Sequence, residues 1–474
     1  MSQGQGQDER TMGTLETFSD RSDCTQLRNK SIFSACERHY SDRCNTRGAC
    51  AYSKAISILN PIADAVHLVH GPMECATCAT YAWNARGSIS SGQPLRAKQE
   101  NIFFNEKIKL AQIMRELAAV HGPKAMFVYS TCKAGANGCD INAVCRSASK
   151  DVKIPVLPVS CTGLQAEMGY DAACNALLKL IGTRSYEPRS PCSVNILGDY
   201  NIAGDLWSIR SYFEEIGIDI VSTITGDSRV AEIQRSHSAG LNLVQCSSSM
   251  NFLAKKLEEE YGTPYRQVSF LGLKEMSSAL RTTAEFFEDP NMIAETEDMI
   301  SRETKRVQRQ IEHYKAKVAG KKAAICLNGA AKAASLINAL KELGIEVVAV
   351  GVRDGDWVDR QRIRNLIGCD AVNIDGIDPS EMRDSLVESG VDLIIPGIKE
   401  QLSVHKLSIP FFDICHNRTS VFEGFDGMVN FAREIDIAIN NRIEKLPNRR
   451  KTRSDRPLCV APRRDRSGSA KAAI

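Results

Sequence analysis

The chain has 474 residues, 43% of them hydrophobic, long enough for about two to four domains with substantial cores. Its 60 Lys and Arg nearly balance 57 Asp and Glu, so a net charge of +3 gives no global electrostatic case for binding nucleic acid or a membrane surface. No apolar run approaches the ~20 residues a membrane span needs, and the first residues lack the charged-then-apolar pattern of a secretory signal, so a cytoplasmic protein is expected.

Residues 1–42 are polar and rich in Gly, Ser and Asp, and read as an arm outside the folded core. A β-like run then ends in Gly71-Pro72. Further strands are predicted at 125–129, 155–159, 193–197, 218–224, 241–244, 322–327, 346–352, 371–374, 393–396 and 411–414. Helical patterns lie between them, for example at 251–261 and 334–343. Strands alternating with helices indicate parallel sheets covered on both faces. A long polar helix at about 290–319 separates two such blocks and reads as a spacer with a solvated charged face. After about residue 440 the chain turns basic and poor in apolar residues, as expected of a disordered tail at 446–474.

The 17 cysteines need an explanation in a chain expected in a reducing compartment, where disulfides are rare. Cys145, Cys174, Cys192, Cys326 and Cys369 fit apolar patterns and read as small buried side chains. Others stand in loops just past strand ends, where open α/β sheets place their ligands. Cys75 follows the Gly71-Pro72 turn, Cys132 ends VYSTC, and Cys50 follows Arg47-Gly-Ala. Cys246 ends LNLVQC and precedes a helix start, and Cys415 ends PFFDIC. Two separated thiolate sets suggest two metal clusters, because soft sulfur donors hold iron. No pair of C-x-x-C motifs is present, which argues against a zinc ribbon. The turn after Ile196-Leu-Gly198 and the runs leading to Lys332 and Lys399 have the form of anion-binding strand–helix turns, or of plain tight turns needing glycine. Lys332 and Lys399 are candidates for offsetting cluster charge; His416 is a candidate ligand, proton donor or supporting group.

Taken in order, HLVHGP-x-x-C, VYSTC, NILGDYNIAGDLW, LNLVQCSSSMNFLAKKLEEEYGTPY and PFFDICHNR-x5-GFDGM-x2-FARE resemble the α-type subunits of the nitrogenase component 1 superfamily, across roughly residues 47–441. The resemblance implies an α/β fold of three Rossmann-like, doubly wound domains, at 43–190, 191–318 and 319–445, around a central cofactor cleft. It implies a homologous β-type subunit in an α2β2 heterotetramer, and a homodimeric, ATP-dependent iron–sulfur reductase like the Fe protein. Cys50, Cys75 and Cys132 match the ligands of a P-cluster-like centre, 8Fe-7S or 4Fe-4S, shared with the β-type subunit. Counting from His70 selects Cys75; counting back from Trp83 and Arg86 selects Cys78. Cys246 matches the cysteine on one end iron of a large 8Fe-9S-C-type cofactor, with heterometal and organic acid left open.

Two departures from the family pattern bear on function. Cys415 stands near a histidine of catalytic nitrogenase, where the assembly scaffold for the iron–molybdenum cofactor has asparagine. The substrate-side histidine is missing, and Tyr170 falls closest. Dinitrogen reduction is therefore not expected. A second thiolate at Cys415 argues for permanent cofactor retention, and so for a nitrogenase-like reductase. The expected activity is that of a methylthio-alkane reductase cleaving C–S bonds of small volatile organic sulfur compounds, with Tyr170 or His416 as proton donors. The alternative, favoured by overall motif similarity, is the cofactor-assembly scaffold. A tetrapyrrole reductase subunit would have no use for two anchoring thiolates, and a metal-free α/β binding protein is the remaining reading.

Overall fold

The structure, a computed structural model, describes residues 50–72, 75, 107–132, 134, 140–162, 167–183, 191–355, 357–367, 372–373, 386–397, 409–415 and 418–440. Cys78, Lys399 and His416 lie outside the described residues, as do Cys369, the N-terminal arm and the basic tail. No helix among the described residues is long and apolar enough to cross a membrane.

The chain begins with α1 (Ala51–Leu59), β1 (Ala65–His70), α2 (Lys107–His121), β2 (Ala125–Thr131), α3 (Ile141–Val152), β3 (Val156–Cys161) and α4 (Glu167–Leu178). A second run follows: β4 (Ser193–Asp199), α5 (Asp205–Glu215), β5 (Asp219–Thr225), α6 (Val230–Arg235), β6 (Leu241–Val244), α7 (Ser247–Tyr261), β7 (Tyr265–Gln267), α8 (Leu273–Phe287) and α9 (Pro290–Val318). The last comprises β8 (Lys322–Gly329), α10 (Ala330–Glu342), β9 (Glu346–Asp354), α11 (Trp357–Ile367), β10 (Val372–Asn373), β11 (Leu393–Pro396) and α12 (Gly424–Asn440).

These strands form three sheets, ordered β1-β2-β3, β5-β4-β6-β7 and β10-β9-β8-β11, with every strand pair parallel. Parallel strands covered on both faces need apolar side chains in both directions. Accordingly, β1 and β2 are buried along their whole length. In β4, Val194 and Ile196 join a core shared with the third sheet, α9 and α12, whereas Leu197 joins a core shared with the first sheet. The second sheet is thus the central layer. Its interior also carries a polar ladder: Asn195 accepts from Ser222 (2.9 Å) and donates to Asn242 (2.8 Å), on the two neighbouring strands. Each amide is paired, so burying it is tolerable.

The helix predicted at 290–319 is α9, started by Pro290 and by Asp289, whose side chain accepts from the Asn291 and Met292 N–H groups. It is more than a spacer. Met292, Met299, Ile300, Val307, Ile311 and Val318 are buried at helical spacing in the core. Its polar flank pairs with α12, Arg306 with Asp426 (2.6 Å) and Lys317 with Asp436 (2.7 Å).

The strand predicted at 411–414 does not form. Phe411 makes an isolated bridge to Ile394. Beyond it, Asp413 Oδ1 accepts from the Cys415 N–H at 2.9 Å, a local bond that competes with a ladder. The same segment is fastened to the second sheet by a buried ion pair: Arg418 donates to Asp205 Oδ2 and to the Ile202 carbonyl (2.9 Å), while Asp205 Oδ1 accepts from Phe422 N (2.8 Å) and Glu423 N (3.3 Å). Removing one partner of such a pair strands a buried charge. Arg418→Met is expected to lower stability by about 3–5 kcal/mol, read from the shift in urea unfolding midpoint.

Candidate metal-cluster site

In the second sheet the chain passes from β4 to β5 on one side and to β6 on the other. The crevice beyond the C-terminal ends of β4 and β6 is therefore a topological switch point, where open α/β sheets bind ligands. Gly198 lies at the end of β4, and Cys246 follows β6 as the N-cap of α7. A Cβ at Gly198 would stand 2.8 Å from the Cys246 Cβ, and Gly198 has φ +91°. Only glycine suits both demands. Cys246 is half-buried, at the positive end of the α7 dipole.

In the third sheet the switch lies between β8 and β11. Lys332 stands in the first turn of α10, just after β8. Half-buried Cys415 follows the Phe411 bridge to β11 and packs partly on the shared core. A short polar chain joins the residue beside Cys246 to Lys332, which feels the charge of Cys415. Gln245, next to Cys246, donates to Glu423 Oε2 (2.5 Å), and the Lys332 ammonium lies 4.0 Å from Glu423 Oε1. Burial opposes the charge on Lys332, but the neighbouring Cys415 and Glu423 outweigh it and raise the ammonium pKa.

Glu423 also faces Asp199, and both are buried. Burial, then the neighbouring Asp205, raise the Asp199 carboxyl, while Glu423 lowers it by hydrogen bonding; burial, then Asp199 and Asp205, raise Glu423. Two adjacent carboxyls cannot both ionise in a dry site. Glu423 is driven well above the carboxylate range, so it holds the proton, while Asp199 accepts from the Asn201 N–H (2.6 Å). Sequence reasoning missed Asp199, Asp205, Gln245, Arg418 and Glu423 as members of this site. The available signal was two aspartates flanking the glycine turn 198–204.

The first cysteine set lies at the first sheet. Cys50 caps α1 and is exposed; Cys132 follows β2 and is exposed; Cys75 is half-buried against the core. The loops bearing Cys75 and Cys132 leave neighbouring strands, since His70 pairs with Ser130. Gly71 lets them close up, for a Cβ there would clash with the Thr131 side chain. Behind them Cys161 is buried, and burial, then the neighbouring Cys50, push its thiol up to about 12. Tyr170, on α4, accepts from Lys54 of the Cys50 helix at 2.7 Å. Tyr170 is thus placed beside the first set, while Cys174, one turn on, donates to the Ser249 carbonyl of α7 at 3.4 Å. Among the described residues no three His, Cys, Asp or Glu side chains are gathered to hold a single metal ion.

The nitrogenase component 1 type oxidoreductase family matches residues 50–440. The chain belongs to that family. It is 39% identical to the nitrogenase iron-molybdenum cofactor biosynthesis protein NifE of Methanosarcina barkeri, over 93% of this chain and 99% of that protein. It is 38% identical to NifE of Clostridium pasteurianum, over 83% and 88% of the two chains. Among solved structures, nitrogenase Cp1 at pH 5 superposes with a TM-score of 0.75 at 28% identity, over 85% of this chain and 92% of that one. The expected fold, an α/β nitrogenase component 1 architecture, is therefore correct. The expected methylthio-alkane reductase activity is not supported: relatives matching nearly the whole chain are named for cofactor biosynthesis, not for C–S bond reduction. A side-chain difference at Cys415 alone does not outweigh similarity spread over the whole fold.

Two outcomes follow from the geometry. Gly198→Ala forces a Cβ against Cys246 at a positive φ, and is expected to cost about 1–3 kcal/mol, measured by thermal unfolding of the iron-free chain. Glu423 has a raised folded-state pKa, so its contribution to stability is present at low pH and lost as pH rises through that value. Relative to Glu423→Gln, the wild type is expected to lose stability as pH rises above the ordinary carboxylate range, checked by urea unfolding at a series of pH values.

Proposed function

We propose that this protein is the α-type half of a scaffold on which an iron–sulfur precursor of the iron–molybdenum cofactor is held and matured before transfer. The observation that carries this reading is the near-full-length similarity to proteins named for iron–molybdenum cofactor biosynthesis. The site chemistry supports it. Soft thiolate donors suit iron, and Cys246 stands at the switch-point crevice with Gly198 clearing its surroundings. Lys332, and Lys399 by its place after β11, would offset the negative charge of a sulfide-rich cargo.

In this reading the cargo is a substrate of the scaffold. Cys246 holds one end of it, and Cys415 or His416 meets the other. The three domains, 43–190, 191–318 and 319–445, enclose the cleft between them. Cys50, Cys132 and Cys75 or Cys78 hold a second, permanent cluster at the boundary with a homologous β-type subunit, in an α2β2 assembly. Exposure of Cys50 and Cys132 supports that placement, because ligands of a shared cluster must face outward. Tyr170, bonded to Lys54, is assigned to orienting α1 beside that cluster. An ATP-dependent Fe protein-like reductase is the proposed electron donor.

The test is transfer. The anaerobically purified complex, loaded with precursor cluster, is expected to activate cofactor-free nitrogenase. Cys246→Ala should lower bound cargo iron at least about tenfold, the loss of one strong metal ligand, while the interfacial cluster keeps its spectroscopic signal. Cys415→Ala should shorten cargo retention. A complex that carries no iron after reconstitution, or never activates nitrogenase, overturns the reading.

A further inference from the structure

Asp359 is a buried carboxylate that the site described above does not use. It lies in the first turn of α11, a helix of the third sheet, yet both its oxygens are bonded to the second sheet's elements. Oδ2 accepts from the Ser247 hydroxyl, and Oδ1 accepts from Gln267 Nε2 of β7 at 3.0 Å. Ser247 is the first residue of α7 and the immediate neighbour of Cys246. One turn along α11, Arg362 donates to Glu275 of α8 at 2.6 Å, and Asn338 of α10 donates to the same oxygen. The third sheet therefore grips the second at the very turn that carries the Cys246 thiol.

We propose that Asp359 is a positioning residue that sets the direction of the Cys246 thiol from across the boundary between the two sheets. A buried hydroxyl bonded to a buried carboxylate has one favoured rotamer, and fixing Ser247 fixes the peptide between it and Cys246. The other flank of the cysteine is held in the same way, by Gln245 on Glu423. Parting the third sheet from the second would release the first turn of α7 and let the thiol swing. Under the scaffold reading, on which this last step rests, cargo release is thereby coupled to separation of the sheets.

The test uses the full-length, iron-free chain under anaerobic conditions. Iodoacetamide alkylation of Cys246 is followed by peptide mass spectrometry, with exposed Cys50 as internal reference. Asp359→Ala and Ser247→Ala each remove the bond, and each is expected to raise the Cys246-to-Cys50 rate ratio about fivefold, the population change given by losing one buried hydrogen bond. Asp359→Asn is expected to restore the wild-type ratio, since its amide oxygen still accepts from Ser247 and the Gln267 amide can turn to meet its NH2 group. Ser247→Ala is the milder change and serves if Asp359→Ala does not fold. An unchanged ratio in folded Ser247→Ala overturns the proposal, whatever the protein does with clusters. A raised ratio in a protein that never transfers a cluster leaves the positioning role standing and removes only the coupling to release.

Discussion

The close approach of β4 to Cys246 is the constraint on which the cleft depends. Because Gly198 has no side chain, the end of the central strand can lie against the cysteine that caps α7. The rest of the second sheet is arranged to keep that approach rigid. Apolar residues on both faces of β4 bury it between two cores, and the Ser222–Asn195–Asn242 ladder fixes its register against both neighbours. A thiol on such a frame has little freedom. That is what metal ligation requires, since a ligand that must be ordered on binding loses affinity to the entropy of ordering.

Charge organises the same cleft. Arg418 and Asp205, both buried, join the C-terminal segment to the turn after β4. That junction brings Glu423 to Asp199 and Gln245, and places Lys332 within reach. Burial drives the Glu423 carboxyl well above the carboxylate range beside Asp199, so the site presents less negative charge than its residue types suggest. Under the proposed scaffold function, a sulfide-rich anion would gain from that arrangement, because two bare carboxylates would repel it.

Similarity over almost the whole chain and a departure at one position pointed to different activities. The motif order led to the family, while Cys415 led toward a reductase. The relatives' names favour the assembly reading. Under the proposed function, a ligand's identity at one position reports how tightly one end of a cargo is held. The purpose of holding it is a property of the whole site and its partners.

The sequence by itself determined the α/β class, most of the strand positions and the family. These are legible because apolar runs, glycine turns and cysteines past strand ends are local patterns set by backbone sterics and burial. It also marked Cys246 as a helix cap, since the apolar run, the cysteine and the three serines are contiguous. Only the tertiary structure decided that Glu423 meets Gln245 and Asp199, that Arg418 meets Asp205, and that Asp359 reaches Ser247. It likewise moved Tyr170 to the side of Lys54 and replaced the strand predicted at 411–414 by a bridge and a turn. Most of these contacts join residues more than a hundred positions apart. Their partners are chosen by how sheets and helices stack, and stacking is set by the summed packing of the cores, which no local run of residues encodes.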